Sequence, residues 1–301
     1  MYLLRLSHAR LSVEIVPGVG GGLAGFDWLG RGVPIPLMRA RMPPLDLADG
    51  SPDPNRLACY PLLPWSNRIA GGGFTVDGRF VALHPNRPGE PFPIHGSGWQ
   101  RPWHVEESSR THALLSLEEH VAEGYAYRAR LRYALDADAL LVDVAVTHLA
   151  QHPMPYGVGL HPFFLRHGEV ALHAPASKVW INDGRTPIPV DRIEVPHAWD
   201  FRQSRVLPDE GVNHAFQPWS GMAQIAWPQL GLRLELEANV DTFVLYTPVD
   251  EEFFCFEPVD HPINAVHLPG GPQANGMTLL TQGATLARRF VFRVIDEDDA
   301  R

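Results

Sequence analysis

Tyr127-Arg128-Ala129-Arg130-Leu131-Arg132-Tyr133 alternates apolar or aromatic residues with arginine at every second position. A side-chain period of two belongs to a strand with one face buried and one face wet. The run leads to Asp136-Ala137-Asp138, a short polar break before a second strand-like run. The same alternation recurs in Leu11-Ser12-Val13-Glu14-Ile15-Val16, in Leu232-Arg233-Leu234-Glu235-Leu236-Glu237 and in Arg289-Phe290-Val291-Phe292-Arg293-Val294. Phe74-Thr75-Val76 and Arg79-Phe80-Val81 flank Asp77-Gly78, a pair suited to a tight hairpin turn. With 27 Gly and 29 Pro the chain is rich in turn formers and poor in material for long helices. No convincing amphipathic helix, internal repeat or linker-like shift in composition stands out. Many short strands between turn signals imply an all-β fold, a large antiparallel β-sandwich. We expect one domain over residues 1–301, with a frayed, solvated tail from about residue 296, where Asp296-Glu297-Asp298-Asp299 falls.

Composition narrows the function classes. Hydrophobic residues make up 45% of the 301 and charged residues 20%, enough for a large core and unlike a disordered chain. The net charge of −9, without a basic run, argues against a nucleic-acid partner, which needs clustered Lys and Arg. Two cysteines, Cys59 and Cys255, make neither a disulfide framework nor a thiolate zinc site; a single bridge between them is left open. Arg5, His8, Arg10 and Glu14 interrupt the N-terminal apolar residues, so no signal peptide is expected. No segment reads as a membrane span, and the expectation is a cytoplasmic protein with no membrane partner.

Five segments carry candidate chemistry. Gly20-Gly21-Gly22-Leu23-Ala24-Gly25 fits a dinucleotide fingerprint, but the following Phe26 to Pro34 cannot sustain the helix such a site requires. It is read as a loop between antiparallel strands. In Tyr60 to Phe74 two prolines and three glycines bracket Trp65, Asn67 and Arg68. These side chains suit a polyol, with an aromatic face for C–H groups and donors for hydroxyl oxygens, although an exposed surface loop is the plainer reading. Phe92-Pro93-Ile94-His95-Gly96-Ser97-Gly98-Trp99 and Leu160-His161-Pro162-Phe163-Phe164 each hold a histidine beside residues that restrict the backbone. The proline after His161 pushes that residue into an extended conformation, which should fix its direction beside two aromatic rings. Because His84, His152 and His261 also precede Pro, the dipeptide alone is not diagnostic.

Phe253-Phe254-Cys255-Phe256-Glu257-Pro258 is the sharpest anomaly, a carboxylate within an apolar aromatic strand. Burial of an unpaired carboxylate is expensive, so the group either holds its proton or finds a cation. A raised pKa makes Glu257 the leading general-base candidate; a structural ion pair with Arg is the bland alternative. No H-x-H, H-E-x-x-H or C-x-x-C pattern suggests a metal, and no G-x-S-x-G elbow suggests a serine hydrolase.

Taken in order, the segments resemble the aldose 1-epimerases (galactose mutarotases). Pro64-x-x-Asn67-Arg68-Ile69 is similar to that family's asparagine–arginine motif, and Ile94-His95-Gly96 to its first histidine motif. His161-Pro162-Phe163-Phe164 is similar to its second, and Glu257-Pro258 to its C-terminal carboxylate. The resemblance implies a galactose mutarotase-like β-supersandwich with a sugar site on one curved sheet. It implies Glu257 as general base, His161 as general acid, and His95, Arg68, Asn67, Asn213 and Trp99 as substrate-binding residues. Asn213, in Gly211-Val212-Asn213-His214, stands where the family usually has an aspartate, so the charge is gone and the identity of the sugar stays open.

The implied reaction interconverts the anomers of a free aldose and needs no cofactor or metal. A base takes the C1 hydroxyl proton, an acid protonates the ring oxygen, the ring opens and recloses on the other face. Two rivals are a glycoside hydrolase, which needs two carboxylates about 5–9.5 Å apart across one bond, and a non-catalytic sugar-binding or sensing protein on the same scaffold.

Overall fold

In the computed structural model, residues 2–42, 53–166 and 168–298 are described. The alternating runs become strands Leu11–Val16, Tyr125–Asp136, Leu232–Ala238 and Thr285–Asp296. The Asp77-Gly78 turn joins Gly73–Val76 to Arg79–Ala82, with both turn residues at positive φ. Ala137, also at positive φ, turns Tyr125–Asp136 into Ala139–His148. The only α-helix among the described residues is Gly271–Ala274.

Two large sheets form the body. The first has nine strands in the order 205–206, 171–173, 222–227, 232–238, 285–296, 139–148, 125–136, 112–122 and 104–108. The second runs 191–194, 176–181, 212–219, 242–247, 253–259, 159–160 and 61–62, with Phe163–Leu165 also paired to Phe253–Val259. A four-stranded sheet begins with Leu4–His8 and Leu11–Val16. The named strand pairs are antiparallel throughout, as in Val244↔Glu257 and Ala215↔Val244.

The second sheet is apolar on both faces, and each face has its own task. Phe254, Phe256, Phe243, Leu245, Phe216 and Val179 belong to the main core, which they share with Leu131, Phe290 and Phe292 of the nine-stranded sheet. Phe164 lies 6.4 Å from Phe292 and 5.6 Å from Phe254 between ring centroids, so aromatic rings stitch the two layers together. Each fully buried ring of this kind contributes about 1.5–3 kcal/mol. The opposite face carries Cys255, Glu257, Val259, Val244, Ala215 and Trp180, with Tyr246 packed at its margin. The period of two thus separates the core phenylalanines from the carboxylate beside them in sequence.

Two expectations are corrected and one open alternative is closed. The glycine run is only half a loop: Gly20 and Gly21 turn at φ +63° and +62°, while Gly22–Trp28 is a strand. A Cβ on Gly20 would meet the carbonyl oxygen of Trp99 at 2.0 Å, which explains a glycine there without any phosphate. The acidic tail is not frayed from residue 296. Arg31 bridges Asp296 at 2.7 Å and Asp298 at 2.9 Å, and the Glu297 amide donates to Gly231 O; Asp299 and beyond lie outside the described residues. Both cysteines are free, and they sit in different clusters, Cys59 in the main core and Cys255 on the Glu257 face.

Candidate active site

Glu257 and His161 meet, although 96 residues separate them in the chain. Phe253–Val259 and Phe163–Leu165 are hydrogen-bonded neighbours, and Gly159–Leu160 joins the same strand on its other half. The chain between them turns at His161-Pro162, which aims the imidazole over the sheet. His161 Nε2 lies 3.4 Å from Glu257 Oε1. Glu257 is 2% exposed and His161 8%. Glu257 Oε2 and His161 Nδ1 are buried with no hydrogen-bond partner among the described residues.

Two aromatic rings pack against the imidazole. Tyr60 lies 4.7 Å and Phe163 4.6 Å from it between centroids, and the two are 5.9 Å from each other, so they cup His161 on adjacent sides. Phe164, which the sequence placed beside it, points into the main core; Tyr60 takes that place. Tyr60 is held by donating to Asn55 Oδ1 at 2.9 Å, and the Arg39 guanidinium lies over the Phe163 ring, 3.5 Å from its centroid.

Burial sets the protonation of the pair. Loss of water raises Glu257 to about 8, with the Arg68 guanidinium pulling modestly the other way. Loss of water lowers His161 to about 3, helped by the positive charges of Arg39, Arg68 and Arg87. Between about pH 3 and pH 8 the resting pair is therefore a carboxylic acid against a neutral imidazole. The pair carries one proton in total, and moving it across the 3.4 Å contact produces a carboxylate and an imidazolium without changing the count. The two π faces around His161 favour that cation and offset part of its burial cost.

The asparagine–arginine loop and the first histidine motif converge on the same place. The Asn67 amide donates to His95 Nδ1 at 3.0 Å, so the neutral ring carries its proton on Nε2 and presents a donor. Burial and the charges of Arg68 and Arg87 keep His95 neutral, and an imidazolium formed on His161 acts in the same direction. Its centroid is 5.3 Å from that of His161. His95 and Asn67 both adopt left-handed backbone, φ +60° and +54°, a conformation that costs non-glycine residues energy and persists only where neighbours enforce it. At His95 Asn86 enforces it: its side chain bonds Ile94 N, Ile94 O and Gly96 O, each at 2.8 Å. A Cβ on Gly96 would lie 2.1 Å from Leu63 O, so only glycine fits after His95.

Arg68 is clamped by Glu90 through two bonds, Nε to Oε1 at 2.9 Å and Nη2 to Oε2 at 2.7 Å. A third N–H donates to Asn67 Oδ1 at 3.2 Å, which leaves two of its five for a ligand. The loop backbone is fixed from below by the buried ring of His261, which accepts from the Ser66 amide, and by Asn264, whose Oδ1 accepts from the Ala70 amide.

Two aromatic candidates lie elsewhere than the sequence suggested. Trp65 is buried in the main core against Tyr125, facing away from Glu257. Trp99 is 1% exposed, donates to Gly96 O and packs edge-on to His95, so it props that ring from behind. Asn213 shares the Glu257 face, two strands away, half-buried and with its amide free of hydrogen bonds among the described residues. Tyr60, Asn86, Glu90 and Asn264 were missed. Each is an ordinary residue in sequence, and only the Asn86 placement eight residues before Ile94 carried a local signal. Among the described residues no group of three His, Cys, Asp or Glu is arranged to hold a metal ion.

Fold and site together define an all-β protein of packed antiparallel sheets with a buried carboxyl–imidazole pair on one sheet face. The sequence profile of aldose 1-epimerase matches residues 2–293, and the chain belongs to that family. It is 31% identical to the uncharacterized protein YphB of Escherichia coli (strain K12), over 90% of this chain and 92% of that one. The crystal structure of a putative aldose 1-epimerase from Escherichia coli K12 superposes with a TM-score of 0.88 at 28% identity, covering 98% and 99% of the two chains. A galactose 1-epimerase from Lactobacillus acidophilus NCFM shares the fold, with a TM-score of 0.75, 16% identity and coverage of 98% and 95%.

Proposed function

We propose that the protein is a mutarotase, a cofactor-independent aldose 1-epimerase that interconverts the anomers of a free sugar. The observation that carries this reading is the 3.4 Å contact between His161 and Glu257, each with one unpartnered buried atom. A hydroxyl and a ring oxygen entering the site satisfy those atoms and draw the shared proton onto His161. Glu257, now a carboxylate, takes the proton from the C1 hydroxyl while His161 gives its proton to the ring oxygen. The C1–O5 bond breaks, leaving an aldehyde, a protonated Glu257 and a neutral His161. This is the resting proton distribution of the pair, so the open-chain stage needs no further proton. Rotation about C1–C2 followed by the reverse transfers yields the other anomer. Each positioned group contributes about 10²–10⁴-fold.

His95, through Nε2–H, and Arg68, through its two free N–H groups, hold the ring-oxygen side; Asn213 contacts a hydroxyl across the sheet. Asn67 acts by fixing the His95 tautomer and the Arg68 fork, and Trp99 by backing His95. A hydrolase would need a second carboxylate free to act, whereas Glu90, the acid bound to Arg68, is held in a bidentate ion pair. Exchange between anomeric NMR signals over a panel of hexoses, pentoses and 6-deoxy sugars tests the proposal. We expect at least one sugar to be accelerated by the native protein, and His161→Ala to lose that rate by at least a hundredfold while its thermal unfolding stays cooperative. Binding without acceleration in every case would support the sugar-sensing reading instead.

A further inference from the structure

The strand next to Glu257 brings a residue to the site that no motif marks. Strand Thr242–Thr247 is hydrogen-bonded to Phe253–Val259 on one side and to Val212–Trp219 on the other, with Val244 opposite both Glu257 and Ala215. Two residues along, on the same face, Tyr246 is opposite Cys255 on one side and Asn213 on the other. By strand geometry its position is diagonal to Glu257, about 7–8 Å away between backbone positions, close to the width of a pyranose ring.

Apart from Asn213, its nearest neighbours on that face have little to offer a hydroxyl. Val244 and Ala215 are apolar, and Thr242 Oγ1 is engaged with Asp241. The Tyr246 ring packs on the apolar cluster of Trp180, Val244 and Cys255, whereas its hydroxyl makes no hydrogen bond among the described residues and the residue is half-buried. Burial raises its pKa and the Arg68 charge counteracts this, which places the phenol within the field of the same guanidinium that faces Glu257. The side chain of Asn213, directly across the strand, also makes no hydrogen bond among the described residues, while its backbone carbonyl accepts from Asn182. A phenol and an amide side by side, each able to donate and accept, match the dual character of a sugar hydroxyl.

We propose that Tyr246 is a substrate-contact residue that, paired with Asn213, reads a hydroxyl of a neutral aldose remote from C1 and so sets sugar preference. This rests on the mutarotase reading of the site and adds to it the residue that selects the sugar.

Tyr246→Phe removes one oxygen and keeps the ring. KM should rise about 2–12-fold, the worth of one hydrogen bond between neutral groups, with kcat and its pH profile unchanged, as for loss of uniform binding. Across monodeoxy analogues of the best substrate, the penalty should vanish for the one analogue lacking the hydroxyl in question. An unchanged KM on every sugar overturns the assignment, and so does a penalty that persists equally across all analogues. If the native protein accelerates no anomer exchange, the mutarotase reading fails separately. The Tyr246→Phe effect is then measured on the Kd of the same sugars by ligand-observed NMR, where the same fold-loss supports the contact and an unchanged Kd, or no binding at all, overturns it.

Discussion

Glu257→Gln should abolish anomer exchange and yet yield a protein more stable than the parent above neutral pH. The folded chain raises this carboxyl from 4.5 to about 8. Between those values the native state holds a proton that the unfolded state has released, so stability is full below pH 4.5 and declines as pH rises, by about 1.4 kcal/mol per pH unit. His161 acts in the opposite sense. Lowered from 6.5 to about 3, it stays neutral in the fold while the unfolded imidazole is charged, so its contribution grows as pH rises from 3 to 6.5. The two slopes cancel between pH 4.5 and 6.5, and the parent then loses about 2 kcal/mol between pH 6.5 and 8. Glutamine keeps the shape and does not titrate, so the variant lacks that decline. In a chain of 301 residues a loss of about 2 kcal/mol corresponds to about 3 °C in Tm. Calorimetric scans of both proteins from pH 5 to 9 measure it. Parallel curves would refute the reasoning, because they would mean that Glu257 is already ionised in the resting fold.

The same proton count predicts the rate profile: kcat/KM should fall on the alkaline side with an apparent pKa of about 8, where the pair loses its last proton. Arg68→Gln should move that limb upward as well as weaken binding, since the guanidinium holds Glu257 down; an unmoved limb would remove Arg68 from the electrostatics of the pair. Asn86→Ala deletes three bonds to the backbone on either side of His95. It should cost about 1–3 kcal/mol in urea unfolding and lower kcat/KM at least tenfold, and near-native values in both would show that the loop is held by other contacts.

The strands were legible because their signal is local. Two faces in different environments impose a period of two, and Tyr127 to Tyr133 or Arg289 to Val294 display it without reference to any other segment. Glu257 was legible for the same reason, as the one residue that breaks an apolar run. The partners that tune it were not, because they arrive from far along the chain: Tyr60 lies about a hundred residues before His161, and Asn264 reaches back to Ala70. Trp65 misled because a tryptophan between polar residues looks the same whether its ring faces a ligand or a core. Arg31 and Asp296 show the converse case, in which an acidic end that looks solvated is captured by a cation from the opposite end of the sequence.

The division of labour on Phe253–Val259 also constrains how this strand can change over evolutionary time. Gaining or losing one residue inside it would exchange its two faces, driving the carboxylate into the phenylalanine layer and turning Phe256 toward the candidate site. Length variation is therefore confined to the flanking turns, such as Asp250 to Glu252, while the strand itself can accept replacements but not indels.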